Sequence, residues 1–171
     1  MAARAPPAEH SDLTELILKT ESFALNSASD HPMENLWLGD DRLTLQSDAD
    51  EQLIISISFR VTTKLHSLRI KSPDAESAPT RISLFANSVG GLDFNDVTEH
   101  PPTQEIELDP EEVAQGVTVP LRFVKFQNTN NVTIFVAENG GAETTSISLL
   151  RFIGKGQDFC DVSTIHERKE G

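Results

Sequence analysis

The amino-acid sequence predicts an all-β protein, an antiparallel β-sandwich or jelly roll, with one short helix near its N-terminus. Several segments alternate apolar and polar side chains, which is typical of strands that bury one face. Clusters of Gly, Pro and Asn separate these segments, and strands do not alternate regularly with helices as they do in parallel sheets. The 171 residues fit one domain with short tails better than two domains.

The two ends of the chain are expected to lie outside that domain. Residues 1–11 are small, polar and contain proline, which favours a flexible arm, and residues 156–171 are expected to form a flexible tail. The domain is therefore predicted over residues 12–155. The first ten residues lack the apolar segment of a secretory signal, and no apolar run approaches the roughly 20 residues that cross a bilayer.

The predicted helix covers residues 12–19. Asp12 is a favourable N-cap residue and stands three positions before Glu15, which is the spacing of a capping box. Leu13, Leu16 and Ile17 follow at the spacing that places side chains on one face of a helix. We expect that face to pack on the core.

The first long strand is predicted to begin at residue 52. Its alternate side chains are apolar: Leu53, Ile55, Ile57 and Phe59. Ile54 interrupts the polar face, so the start of the strand is expected to be covered on both sides. A second alternating segment over 64–70 puts His66 with Leu68 and Ile70, which predicts a partly buried core histidine rather than a catalytic base.

The later strands are separated by turn residues. Asp109 followed by Pro110 predicts one short helical turn, because Asp is a favourable N-cap and Pro is favoured at the first helical position. Asn139 and the two glycines after it predict a turn before the last strand. The predicted strands cover residues 81–86, 105–108 (at a sheet edge), 117–126, 132–136 and 144–153.

The charge of the chain excludes some classes of partner. It has 27 acids and 14 bases, and this net charge of −13 repels the phosphates of nucleic acids and anionic lipid head groups. A protein partner with a basic patch is the favourable complement. Ten acids are the candidate protein-binding surface: Asp40, Asp41, Asp48, Asp50, Glu51, Asp93, Asp96, Glu99, Glu105 and Glu107.

Two of these acidic groups also have the composition of a calcium site. Asp48, Asp50 and Glu51 could hold Ca²⁺ or could form a solvated loop whose acids cap turns. Asp93, Asn95 and Asp96 could coordinate a cation or could form an Asx turn. The glycine and terminal glutamate of an EF-hand are absent, so the loop and the turn are the favoured interpretations.

No cofactor, metal site or catalytic residue is predicted. The sequence contains no nucleophile elbow, phosphate-binding loop, C-x-x-C or H-E-x-x-H motif. Cys160 lies beside two acids, which disfavour its thiolate, so it is expected to be unreactive. Trp37 stands between two leucines and is interpreted as a lid on the core, with an exposed binding residue as the alternative.

Several runs of the sequence resemble the signatures of the PITH domain family. They occur in order at residues 24–26 (ALN), 45–59 (LQSDADEQLIISISF), 64–68 (KLHSL), 119–128 (VPLRFVKFQN), 131–139 (NVTIFVAEN), 143–147 (ETTSI) and 152–154 (FIG). At position 24 relatives often carry Cys, where this chain has Ala24. The resemblance covers residues 12–155.

The resemblance implies a galactose-binding-like jelly roll that acts as a non-enzymatic protein-interaction module. In two-domain relatives the domain follows a thioredoxin domain and associates with the 26S proteasome, so the regulatory particle of the proteasome is the expected partner. No Trp-Cys-Gly-Pro-Cys motif precedes the domain here, so redox activity is not implied and the chain resembles the stand-alone members. A monomer in the cytoplasm, the nucleus or both is expected.

Other functions stay open from the sequence. A carbohydrate- or Ca²⁺-binding jelly roll is the alternative, suggested by architecture alone, and an enzyme is the least favoured class. Lys125, Gln127 and Asn128 follow a predicted strand and could form a recognition loop. They could equally satisfy backbone groups in a tight crossover, and this structural role is the favoured interpretation.

Overall fold

The computed structural model describes residues 10–88 and 91–156. Its strands are β1 (Ser11–Asp12), β2 (Phe23–Leu25), β3 (Leu45–Gln46), β4 (Leu53–Lys71), β5 (Pro79–Ala86), β6 (Gln104–Glu107), β7 (Val117–Pro120), β8 (Thr129–Asn139), β9 (Ser146–Ile147) and β10 (Leu149–Gly156). The α-helices are α1 (Phe94–Glu99) and α2 (Pro110–Gln115), and single 3-10 turns cover Thr14–Leu16, Lys19–Glu21, Met33–Trp37 and Phe123–Lys125. Every strand pair is antiparallel, which confirms the predicted fold class.

Strand β4 is shared between two groups of strands. Its first part pairs with β2 and β8, and β8 continues through β5 to the edge strand β6. Its second part pairs with β10 and β7, and β10 also pairs with β1. The sequence predicts two strands here, whereas the structure has one 19-residue strand whose pairing with β8 is irregular between Ser58 and Thr63.

A β-bulge in β4 makes the prediction for His66 wrong. Ile153 of β10 pairs with Ser67, but the next residue, Gly154, pairs with Leu65, so His66 is the extra residue of a bulge. The bulge reverses which side chains of β4 face the main core: those that do are odd-numbered up to Leu65 and even-numbered from Leu68 onward. His66 is therefore exposed, and its ring stacks on that of His10.

Two apolar clusters cover the two faces of the first part of β4. The main core contains the predicted alternating residues of β4 together with Ile82, Leu84, Val132, Ile134 and Val136. Ile54 lies on the opposite face, where it packs with Phe85, Phe135 and Val97 of α1 in a second cluster. The expectation that both faces are covered is confirmed. Helix α1, which the sequence did not predict, provides that cover.

The predicted helix over residues 12–19 is wrong. Two 3-10 turns replace it, because Ile17 forms a bridge with Phe59 and the Leu18 amide donates a 2.7 Å hydrogen bond to the Ser58 carbonyl. These bonds to β4 draw the middle of the segment into an extended conformation. Leu13 and Ile17 are buried as expected, so the apolar pattern identified the core contacts but not the backbone conformation.

Two predicted strands are interrupted in the structure. Strand β7 ends at Pro120 instead of continuing to Phe126, and a 3-10 turn follows. The segment 144–153 is divided at Ser148, whose amide bonds to the Lys71 carbonyl, so β9 pairs with β3 while β10 pairs with β4. The edge strand over 105–108 and the helical turn after Asp109 are confirmed by β6 and α2.

Strand pairing reaches nearly to both ends of the described residues. Ser11 and Asp12 pair with β10, and β10 extends to Gly156. The predicted arm up to residue 9, the predicted tail from residue 157 and Cys160 lie outside the described residues. None of the helices in the described ranges is long and apolar enough to cross a membrane.

Gly154 should be essential for closing the bulge. A Cβ at this position would overlap the Lys64 carbonyl oxygen, which is backbone and has little freedom to move. Gly154→Ala is therefore expected to lower the free energy of unfolding by about 3 kcal/mol, measured by urea denaturation.

Gly156→Ala is the matched control in the same strand. An added Cβ there would lie 2.8 Å from Leu16 Cδ1, the end of a side chain that can rotate away. Its effect should stay within about 1 kcal/mol. Equal losses for the two variants would contradict the close backbone approach at Gly154.

Candidate functional site

Helix α1 positions two of the predicted surface acids. Asp93 is the N-cap, and its carboxylate accepts a 2.9 Å hydrogen bond from the Asp96 amide. The Asp96 carboxylate accepts a 3.0 Å bond from the Asp93 amide, which completes a capping box. The Asx-type turn predicted here is confirmed, and it starts a helix whose Phe94 and Val97 pack on the second cluster.

A shallow depression lies beside this helix start. Its volume is about 270 Å³, and it is lined by Phe23, Leu25, Gly91, Leu92, Asp93 and Asp96. The Phe23 side chain comes from β2, which is the outer strand beside the first part of β4. It is 41% exposed, a large fraction for a phenylalanine. The depression therefore combines apolar side chains with two carboxylates.

The capping box holds the Asp93 carboxylate of the depression in its ionised form at neutral pH. The hydrogen bond from the Asp96 amide holds the pKa of Asp93 below its usual value of 3.8. Within the described ranges neither acid forms an ion pair with Lys or Arg. A positive charge brought to the depression would therefore meet carboxylates that no described Lys or Arg side chain neutralises.

The other predicted acids do not join this depression, and those at 40 and 41 are paired. Asp40 accepts hydrogen bonds from the Arg42 side chain, which lower the Asp40 pKa, and Asp41 lies 2.8 Å from Lys71 Nζ. Leu38, next to this loop, is 61% exposed. This loop therefore carries an exposed apolar side chain beside its acids, but Arg42 and Lys71 already partly neutralise those acids.

The acids of the 48–51 loop are organised by Asn26. Asn26 adopts a left-handed conformation with φ of 68° and donates to Asp50 Oδ1 at 2.9 Å and to the Gln52 carbonyl at 2.7 Å. Its own carbonyl oxygens accept from the amides of Asp48 and Ala49. Here the Asp50 carboxylate serves the turn, as the loop interpretation expected.

The remaining acids lie along an edge of the sheet or end a helix. Glu105 on β6 pairs with Arg81 at 3.0 Å, and Arg81 also reaches Glu138 at 3.4 Å. Glu107 is exposed on the same edge strand, and Glu99 ends α1. Exposed ion pairs of this kind contribute little to stability.

Candidate metal ligands are not brought together in the part of the chain that the structure describes. No group of three or more His, Cys, Asp and Glu side chains there is arranged to hold a metal ion. Trp37 packs against the main core, which confirms the lid interpretation.

The apolar half of the depression was missed by the sequence reasoning. Phe23 begins the short apolar run 23–25, which is too brief to show an alternating pattern, and Leu92 follows two glycines. The one sequence signal for this apolar half was Ile54. An apolar residue on the second face of β4 indicates that other apolar side chains of the chain cover that face. The sequence did not show which residues provide that cover, since the contacts are distant along the chain.

The polar residues after β7 make some of the bonds to backbone groups that the sequence analysis favoured. The Lys125 side chain reaches the Thr103 carbonyl at 3.4 Å, and the Asn128 carbonyl accepts a 2.7 Å bond from the Asn87 side chain. Phe123, which the sequence analysis placed in a strand, is 40% exposed. Its exposure follows from the end of β7 at Pro120.

The chain matches known proteins over nearly its whole length. The model of the PITH domain family matches residues 3–170. Thioredoxin-like protein 1 of Schizosaccharomyces pombe is 37% identical over 158 residues, which are 90% of this chain and 54% of that protein. PITH domain-containing protein 1 of Danio rerio is 33% identical over 111 residues, which are 65% of this chain and 51% of that protein. The chain thus spans about half the length of the relatives it matches.

Solved structures with a similar fold include carbohydrate-binding modules. The family 32 module of Clostridium perfringens NanJ, in complex with galactose, has a TM-score of 0.60 at 13% identity and covers 84% of this chain and 98% of that one. The module CpGH89CBM32-5 of the same organism has a TM-score of 0.64 at 12% identity, covering 83% and 99%. At these identities the similarity shows the galactose-binding-like jelly roll alone.

Asn26 should stabilise the 48–51 loop through both its conformation and its side chain. Asn26→Ala places a Cβ residue without local hydrogen bonds in a left-handed conformation, so we expect a loss of about 2 kcal/mol in the free energy of unfolding. Asn26→Gly tolerates the conformation but still lacks the bonds, so its loss should be intermediate. Urea denaturation measures both.

Asn95→Ala, at an exposed position of α1, is the control and should change stability by less than about 0.5 kcal/mol. Wild-type stability of both Asn26 variants would show that Asn26 does not anchor the loop.

Proposed function

The chain belongs to the PITH domain family, and we propose that it is a non-enzymatic protein-interaction module whose partner is the 26S proteasome, contacted at the regulatory particle. The observation that carries the binding function is the depression lined by Phe23, Leu92, Asp93 and Asp96. The proteasome as partner is supported by the family resemblance.

The chemistry of the depression favours a basic, apolar segment of a partner protein. An apolar side chain can cover Phe23 and Leu25, while a neighbouring Lys or Arg meets Asp93 and Asp96. Bonds from backbone amides already hold the two carboxylates in place, so binding costs little ordering of these side chains. The net charge of −13 would also speed the approach of a basic surface.

A binding function rather than catalysis is supported by the way the acids are used. Asp93 and Asp96 cap a helix, Asp50 accepts bonds from the turn at Asn26, and Asp40 and Asp41 are paired with bases. These are charges held on the surface by local structure. A location in the cytoplasm, the nucleus or both follows from the proposed partner.

Carbohydrate binding is not favoured by any particular side chain. Trp37, the aromatic residue on which a sugar-stacking site would depend, packs against the main core. The loop at 48–51 likewise directs Asp50 to Asn26 and the Gln52 amide. The resemblance to carbohydrate-binding modules therefore supports a shared fold and does not support a shared ligand.

Neutralising the two carboxylates of the depression should weaken proteasome binding without unfolding the helix. Asn is as good an N-cap as Asp, so Asp93→Asn with Asp96→Asn removes two charges and keeps acceptors for the capping bonds. We expect the Kd for purified 26S proteasome to rise about tenfold at low salt, measured by surface plasmon resonance.

The control changes the net charge equally at a different place. Glu111→Gln with Glu112→Gln neutralises two exposed acids in the first turn of α2 and should change the Kd less than twofold. Equal weakening by both pairs would show that only overall charge matters. A wild-type chain that does not bind the proteasome would overturn the proposed partner.

A further inference from the structure

A short turn after β7 exposes apolar side chains next to bases. Its four residues are Arg122, Phe123, Val124 and Lys125, here called the 122–125 turn. Phe123 is 40% exposed and Val124 is 77% exposed. Each of the two flanking bases is exposed as well. Apolar side chains displayed side by side on a turn contribute little to the core and are typical of contact surfaces.

Buried residues on both sides hold this turn in position. Leu121 and Phe126 are buried in the main core. The Leu121 amide donates to the His66 carbonyl at 2.9 Å, and the Phe126 carbonyl accepts from the Leu65 amide at 2.9 Å. The turn therefore projects from a fixed base on β4.

Contacts from the opposite side and within the turn fix its conformation. The Arg122 amide donates to Gln104 Oε1 at 2.8 Å. The Lys125 amide donates to the Arg122 carbonyl at 2.8 Å, which closes the 3-10 turn. A turn that is already ordered loses little entropy when a partner binds.

The charge of the turn is opposite to that of the whole chain. It carries two bases and no acid, whereas the chain carries −13. Two further bases are close along the strands that support it: Lys64 precedes Leu65, and Lys155 is the cross-strand partner of Lys64. Among the described residues none of these four bases forms an ion pair, whereas four others do: Arg42, Lys71, Arg81 and Arg151.

We propose that the 122–125 turn is a second docking surface, which binds an acidic segment of a partner protein that also carries bulky apolar side chains. The apolar side chains of the segment cover Phe123 and Val124, and its carboxylates pair with Arg122 and Lys125. The 27 acids of the chain disfavour an anionic membrane or a nucleic acid at this place, because either would bring further negative charge to the whole surface.

The test begins with selection of peptides on the complete chain. A display library of random dodecapeptides is selected on the immobilised protein, and a recovered peptide is synthesised with a fluorophore. We expect recovered sequences enriched in Asp and Glu next to Phe, Leu or Trp, and anisotropy titrations to give a saturable Kd. No enrichment, or recovered sequences rich in Lys and Arg, would overturn the proposal.

Matched variants then locate the binding of that peptide. Val124→Ser should raise its Kd about tenfold, and Leu38→Ser, at another exposed leucine, should leave it within twofold. Lys125→Glu should raise the Kd at least as much, and Lys19→Glu, at another exposed lysine, should have little effect. Equal responses within either pair would overturn the assignment to the turn.

Two further measurements distinguish other occupants. Sedimentation velocity of the free chain detects self-association, and co-sedimentation with vesicles of phosphatidylcholine and phosphatidylserine detects a membrane surface. Self-association or vesicle binding abolished by Val124→Ser would overturn the proposal in favour of that occupant. The double substitution at Asp93 and Asp96 should leave the acidic peptide bound, which separates this surface from the depression.

Discussion

The pairing of β4 is the constraint on which most of the structure depends. This one strand pairs with β2 and β8 over its first part and with β10 and β7 over its second. A strand shared in this way must change the direction in which its side chains point, and the bulge at His66 makes that change. The bulge in turn requires Gly154 on β10, because the Lys64 carbonyl occupies the place of a Cβ.

The alternation of apolar and polar residues predicted the strands well where one face is buried. It failed where the side chains that face the core change from odd to even positions. Leu53, Ile55, Ile57 and Phe59 recur at every second position, so that strand and its inward face were predicted correctly. His66 shares the parity of Leu68 and was assigned inward, because a bulge has no local signature that distinguishes it from a regular strand. The 3-10 turns around Ile17 were missed for a related reason: bonds to Ser58, distant in sequence, override a helical pattern.

The sequence predicted the negative charge of the candidate site but not which residues line the depression. The acids of the candidate surface were evident from the sequence, including Asp93 and Asp96 at the turn. Pairing partners were not evident, so Asp40 and Glu105 were grouped with acids that carry no base. Phe23 completes the depression from a strand about seventy residues away, and that contact follows from the pairing of β2 with β4.

The net charge of the chain says less about its partners than the distribution of the charge. At physiological ionic strength charges are screened within about 8 Å, so a partner in contact with one surface responds to the few side chains there. At the depression those are Asp93 and Asp96, and at the 122–125 turn they are Arg122 and Lys125. The overall charge of −13 influences only the approach of a partner. Two surfaces of opposite sign would let one small domain contact a basic and an acidic segment together, and each contact could be weak while the joint affinity is high.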